Sequence, residues 1–191
     1  MNKNLLSIPA GALLLLMGCS APADPAAEAM IAEHKTMLKA DSTAKANETV
    51  CMDCFKKVFA MFETGNTEGI ETCIAENMVE HTPPPGMTTT GLQGLKDMIA
   101  MNHAAFPDMK MTVLSYAVVG DMGYVHFNQK GTNTGAMGPD MPATGKAIDI
   151  NGVDVVRFEN NKAVEHWGYW ESEKMMQQLG LMPAPGAPPA K

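Results

Sequence analysis

The chain has 191 residues, of which 46% are hydrophobic and 18% charged, and carries a formal net charge of −7 at pH 7. Length and composition are those of one globular domain with a core, plus tails. Arg157 is the sole arginine and no basic cluster occurs, which excludes the phosphate-neutralising surface that nucleic-acid binding requires.

The N-terminus opens with a short positive segment, "MNKN", whose charge is Lys3. The apolar run "LLSIPAGALLLLM" follows and is too short to span a bilayer as a stable helix. It ends in "LMGC", Leu16 to Cys19, which resembles the lipobox of bacterial lipoproteins. That resemblance implies cleavage before Cys19, a lipid on Cys19, and a cell-envelope protein, periplasmic or outer-membrane, anchored to the membrane by that lipid. A plain secretory peptide with an incidental cysteine is the other reading. Loss of Lys3 with residues 1–18 takes the net charge from −7 to −8.

Residues 19–46 begin with the Ala- and Pro-rich "SAPADPAAEA", a tether, and continue into a helix-forming segment with a thin apolar set, a fraying helix. The folded domain is expected at 47–183, and residues 184–191 form a Pro-rich tail.

Within the domain, Cys51, Cys54, Phe55, Val58, Phe59 and Phe62 recur at steps of three and four, which predicts a helix with one buried face. After "TGN", the residues Ile70, Cys73, Ile74 and Met78 predict a second helix ending near His81. A third spans about Leu92 to Ala105 and stops before Pro107. The period then changes. "MKMTVLSYAVV", "YVHFNQKG", "AIDINGVDVVRF" and "AVEHWGYWE" are alternating, rich in Val, Ile and aromatics, and separated by turn chemistry. The expected fold is α+β: a curved antiparallel sheet packed on three helices, with a pocket between sheet and helices.

His81 stands before Thr82 and three prolines, Pro83 to Pro85. The prolines make a stiff, extended stretch, so the imidazole is held at its entrance. It is either a surface turn residue at a helix end or part of the mouth of the pocket.

Five segments, "FETGNTEGIETCIAENMVEHTPP", "GLQGLKDMIAMNHAAFPDMKM", "KGTNTGAMGPDMPATGKAI", "VVRFENNKAVEHW" and "QQLGLMP", together resemble the SnoaL-like polyketide cyclase (ester cyclase) family of the nuclear-transport-factor-2-like superfamily. The resemblance implies a pocketed α+β cone and, for the characterised cyclases, an intramolecular aldol condensation using neither metal nor organic cofactor. It also implies that His81 lines the pocket and that a last-strand carboxylate, here Glu171 where the family more often has Asp, is the acid/base. Glu165, Trp167, Tyr169 and Glu171 share one strand face, so Trp167 and Tyr169 are expected to wall the ligand and raise the carboxylate's pKa. Phe106 and Phe127 are expected to complete the wall. Asn133 stands where the family commonly has His; an amide there can hold a carbonyl oxygen but not shuttle a proton. The function read from this is acid/base chemistry on, or binding of, a small carbonyl or ester compound. The alternative is a non-catalytic binding module at the membrane surface. The family habit of pairing sheets makes a homodimer an open expectation.

Three cysteines remain after Cys19, an odd number. Cys51 with Cys54, Cys54 with Cys73, and a fully reduced set all stand as readings. Eighteen methionines are compatible with a soft-metal site such as Cu(I), but they mostly occupy helical positions where Leu would serve, and core filling is the simpler account; no metal site is expected.

Overall fold

The computed structural model describes residues 25–84, 87–138 and 141–183. Cys19, the segment 1–18, Pro85 and the tail 184–191 lie outside the described residues. The chain divides into two compact units, Met1–Lys39 and Ala40–Lys191.

In the first unit, residues 25–39 form the start of helix α1, Pro25–Thr64. Pro25 occupies the first position, where a helix has no use for an amide donor. Met30, Ile31, Met37 and Leu38 are exposed there.

In the second unit, the rest of α1 buries Cys51, Phe55 and Phe59 on one face, as the spacing predicts. Gly65 ends it with φ 72°, in the left-handed region that favours glycine, its N–H closing on the Met61 carbonyl. The expected second helix is instead a 3-10 turn, Ile70–Thr72, followed by strand β1, Ile74–Glu80. Ile74 and Met78 are buried four residues apart, a spacing that serves a strand as well as a helix. The pairing partner decides: β1 lies parallel to β5, with Glu80 opposite His166. Such a long-range partner is invisible to local periodicity.

Helix α2, Gly91–Ala105, stops at Phe106 before Pro107. Strands β2 (Lys110–Val119), β3 (Met122–Thr132), β4 (Ala147–Glu159) and β5 (Lys162–Trp170) follow as the expected meander. The sheet order is β1-β5-β4-β3-β2, antiparallel except for the β1 edge. The fold is the expected α+β arrangement, with a mixed, curved five-stranded sheet. Helix α3, Ser172–Leu179, closes the chain. One core cluster joins α1 and α2 to the concave face through Phe59, Ile99, Val125 and Phe127. A second gathers Phe106, Met109, Ile148, Ile150 and Leu179.

Candidate functional site

A cavity of about 400 Å³ opens between α1, α2, α3 and the concave face of the sheet. Its walls are mainly apolar: Phe55, Phe59, Phe106, Phe127 and Trp170, with Met78, Met98, Met111 and Met175 among several methionines. Thioether side chains adapt to ligands of irregular shape. No lysine or arginine is among the described residues lining it.

The polar side of the cavity is built by strand alternation. On β5, His166, Gly168 and Trp170 face inward, and on β4 Asp154 pairs with Gly168. Across β1, Glu80 is the direct neighbour of His166. His166 Nδ1 lies 2.5 Å from Glu80 Oε2, and its Nε2 lies 3.4 Å from Asp154 Oδ1. A side chain at residue 168 would press on the His166 ring at 3.1 Å and come within 3.5 Å of Asp154, so Gly168 leaves the trio its room. Thr82 fixes the carboxylate: its N–H and hydroxyl both donate to Glu80 Oε1, at 2.9 and 3.0 Å, and its oxygen accepts from the Gly168 N–H at 2.6 Å.

Burial alone would push the His166 imidazole down, but Asp154 and Glu80 outweigh it and hold the pKa at about 10. Burial likewise opposes ionisation of Glu80, and the His166 cation with the two Thr82 bonds reverses this and lowers its pKa. The wall is therefore an imidazolium clamped between carboxylates. Glu80 is saturated with donors, whereas Asp154 has only the longer contact to His166 among the described residues. Asp154 is thus the carboxylate best placed to accept a proton, and the loosely held Nε2–H is the donor best placed to meet a ligand oxygen.

The expected catalytic pair is not brought together. The side chain of Glu171 lies past the end of β5 at the start of α3, accepting from the Asn151 N–H at 2.7 Å and from Lys174 at 2.8 Å, and it does not line the cavity. Lys174, then the Asn151 N–H, lower its pKa, the reverse of the expected rise. His81 is on the opposite sheet face, bonded to Glu165 Oε2 at 2.8 Å and stacked on Trp167 at 4.3 Å with the rings 4° apart. Arg157 completes that outer network through Glu165 Oε1. Trp167 belongs to it rather than to the cavity, and Tyr169 is 57% exposed. The shared face of Glu165, Trp167 and Tyr169 is real, but it is the convex one. A period of two allows only two choices, and the aromatic set took the outer one.

Asn133 is fully buried but does not line the cavity. Its Oδ1 accepts from the Thr144 N–H and hydroxyl, and its Nδ2 donates to the carbonyls of Gly135 and Ala105. It ties together the two ends of the 133–145 loop, whose Met137 and Met141 border the cavity. Phe106 and Phe127 do line the cavity. Glu80, Asp154 and His166 were missed, although Glu80 and His166 are the immediate neighbours of His81 and Trp167. The signal was Gly168, a residue without a side chain in an aromatic strand, marking the crowded face.

Cys51, Cys54 and Cys73 are buried thiols. Among the described residues, no group of three or more His, Cys, Asp or Glu is placed to hold a metal, and no helix is long and apolar enough to cross a membrane.

No curated protein matches the chain. Among solved structures, a candidate polyketide cyclase from Bacillus cereus is similar at 27% identity and a TM-score of 0.60, over 70% of this chain and 83% of that one. IdmH from Streptomyces antibioticus, also a candidate polyketide cyclase, is similar at 27% identity and a TM-score of 0.57, over 68% and 98%. TsrD from Streptomyces laurentii shares the fold at 19% identity and a TM-score of 0.64, over 70% and 97%. The SnoaL-like polyketide cyclase family matches residues 51–179. With its helix-backed curved sheet and a mainly apolar cavity, the chain belongs to the SnoaL-like polyketide cyclase family.

Proposed function

We propose that this domain is a cofactor-independent acid/base enzyme acting on a small, uncharged carbonyl or ester compound. The observation that carries the reading is the convergence of Glu80, His166 and Asp154 on one wall of a mainly apolar cavity. In an aldol-type closure, Asp154 takes a proton from the carbon next to a carbonyl. The His166 Nε2–H donates to the oxygen on which negative charge develops. Glu80, locked by Thr82, keeps the imidazole charged and oriented throughout. The apolar walls exclude water and hold the reacting carbons together.

Glu171 and His81, the residues the family resemblance favours, take no part in this scheme. The test is turnover of a panel of aryl ketones and esters able to close intramolecularly, followed by mass spectrometry. Asp154→Asn and His166→Gln should each lose at least about 100-fold in rate, in the range of a removed general base or oxyanion donor. Glu171→Gln should keep it. Binding by the wild type with no turnover across the panel would favour the non-catalytic module instead.

The same reading places the domain in the cell envelope on a lipid attached to Cys19, supported by Lys3, the apolar run and the "LMGC" end of it. Detergent partitioning should be lost in Cys19→Ala, and equal partitioning of both forms would contradict it. Pairing of two copies through the convex sheet face is supported by the exposed Leu114, Tyr124 and Tyr169. Sedimentation at micromolar concentration tests it, a monomer being the contrary result.

A further inference from the structure

The three buried cysteines have no part in the proposed chemistry, yet their surroundings differ. On α1, Cys51 Sγ fills the space left by the absent side chain of Gly123 on β3. Cys54, one turn on, meets the chain entering β1: its Sγ–H donates to the Cys73 carbonyl oxygen at 3.5 Å. Lys57, a further turn along the same face, donates to the Gly69 carbonyl and to Thr72 Oγ1, both at 2.6 Å. The backbone entering β1 is therefore held against α1 at two successive turns, with the two sulfurs between. We propose that Cys54 and Cys73 are the pair that oxidation joins, as a disulfide between α1 and the start of β1, leaving Cys51 a thiol.

The reaction balances with a disulfide oxidant such as oxidised glutathione. Cys73 loses its proton and attacks one glutathione sulfur, expelling glutathione thiolate and forming a mixed disulfide. The Cys54 sulfur, losing its proton in turn, attacks the Cys73 sulfur and expels the second glutathione. Two protein thiols and one oxidised glutathione become one protein disulfide and two reduced glutathiones. The order follows from the environment. The neighbouring Cys54 thiol lowers the Cys73 pKa against the effect of burial, with Lys57 and Lys162 assisting, whereas the neighbouring Cys73 and burial push Cys54 up. Cys54 also lines the cavity, and β1 carries Glu80 at its far end, so the bond anchors the strand that holds the polar wall.

The experiment refolds the Cys19→Ala chain in a glutathione redox buffer, alkylates it, and maps linkages by non-reducing peptide mass spectrometry. A Cys54–Cys73 linkage with Cys51 alkylated is expected, together with a melting temperature roughly 5–10 °C above the reduced form, as for a closed loop of this size in a domain of this length. Cys51→Ala should leave the linkage and the gain in melting temperature unchanged. A Cys51–Cys54 linkage, any linkage using Cys51, or three alkylated thiols after oxidation would overturn the assignment.

Discussion

Replacing Glu80 by Gln removes one unit of charge from the cavity wall while leaving an oxygen for the Thr82 donors. His166, whose side chain is 19% exposed, is held at about 10 against burial by Asp154 and Glu80. Two unit charges about 4 Å apart at an effective dielectric constant of about 20 interact by about 4 kcal/mol. At about 1.4 kcal/mol per unit, that is about three pKa units, so His166 should titrate near 7 in Glu80→Gln. The ring resonances of the five histidines followed from pH 5 to 11 by NMR, with His166→Gln to assign the peak, read this directly. Stability should follow the same linkage. A histidine raised from about 6.5 to about 10 contributes fully below about pH 6.5 and loses its contribution as pH rises through about 10. Glu80, lowered from 4.5, contributes above that value and loses its contribution as pH falls through its folded-state pKa. The wild type is therefore most favoured over Glu80→Gln between about pH 4.5 and 6.5, and the gap narrows towards pH 10. A His166 titration near 6.5 in the wild type, or one unmoved by Glu80→Gln, would refute the clamped imidazolium.

Asn133→Ala leaves the half-buried Thr144 N–H and Gly135 carbonyl without their partner, at about 1 kcal/mol each, so the melting temperature should fall by roughly 5 °C. A fall under about 2 °C would show that the loop does not depend on it. Glu171→Gln and His81→Ala act on exposed groups, and each should leave turnover within about twofold and stability within about 1 kcal/mol. Abolished turnover in Glu171→Gln would return the reaction to the end of β5.

The meander was legible because alternation, turn residues and Pro107 are local signals. Helix α2 was legible for the same reason. The segment Ile70–Met78 was not, since Ile74 and Met78 at a spacing of four satisfy a helix and a strand equally, and only β5 decides between them. The expected His81 and Trp167 lie one residue away from the cavity wall on two strands. Glu80 and His166 carry the polar wall, while His81 and Trp167 beside them carry the outer stack. Aromatic content suggested that Trp167 faces inward, yet a curved sheet has two faces that can hold aromatics. What sequence could not supply was the β1–β5 pairing that sets Glu80 against His166. Phe106 and Phe127 were legible because each follows or lies within a strongly apolar element and has no polar atom to place.

The cavity's methionines offer the most direct measurement. In the protein labelled with carbon-13 at the methionine methyl groups, addition of anthrone, a neutral polycyclic ketone, should shift the signals of Met78, Met98, Met111 and Met175, which line the cavity. The signals of the exposed Met30 and Met37 should stay in place, and the His166 ring resonance should move with those of the cavity. Saturable shifts confined to the cavity with a displaced His166 signal are the predicted result. Shifts at Met30 and Met37 with an unmoved cavity and His166 would contradict the placement of the site.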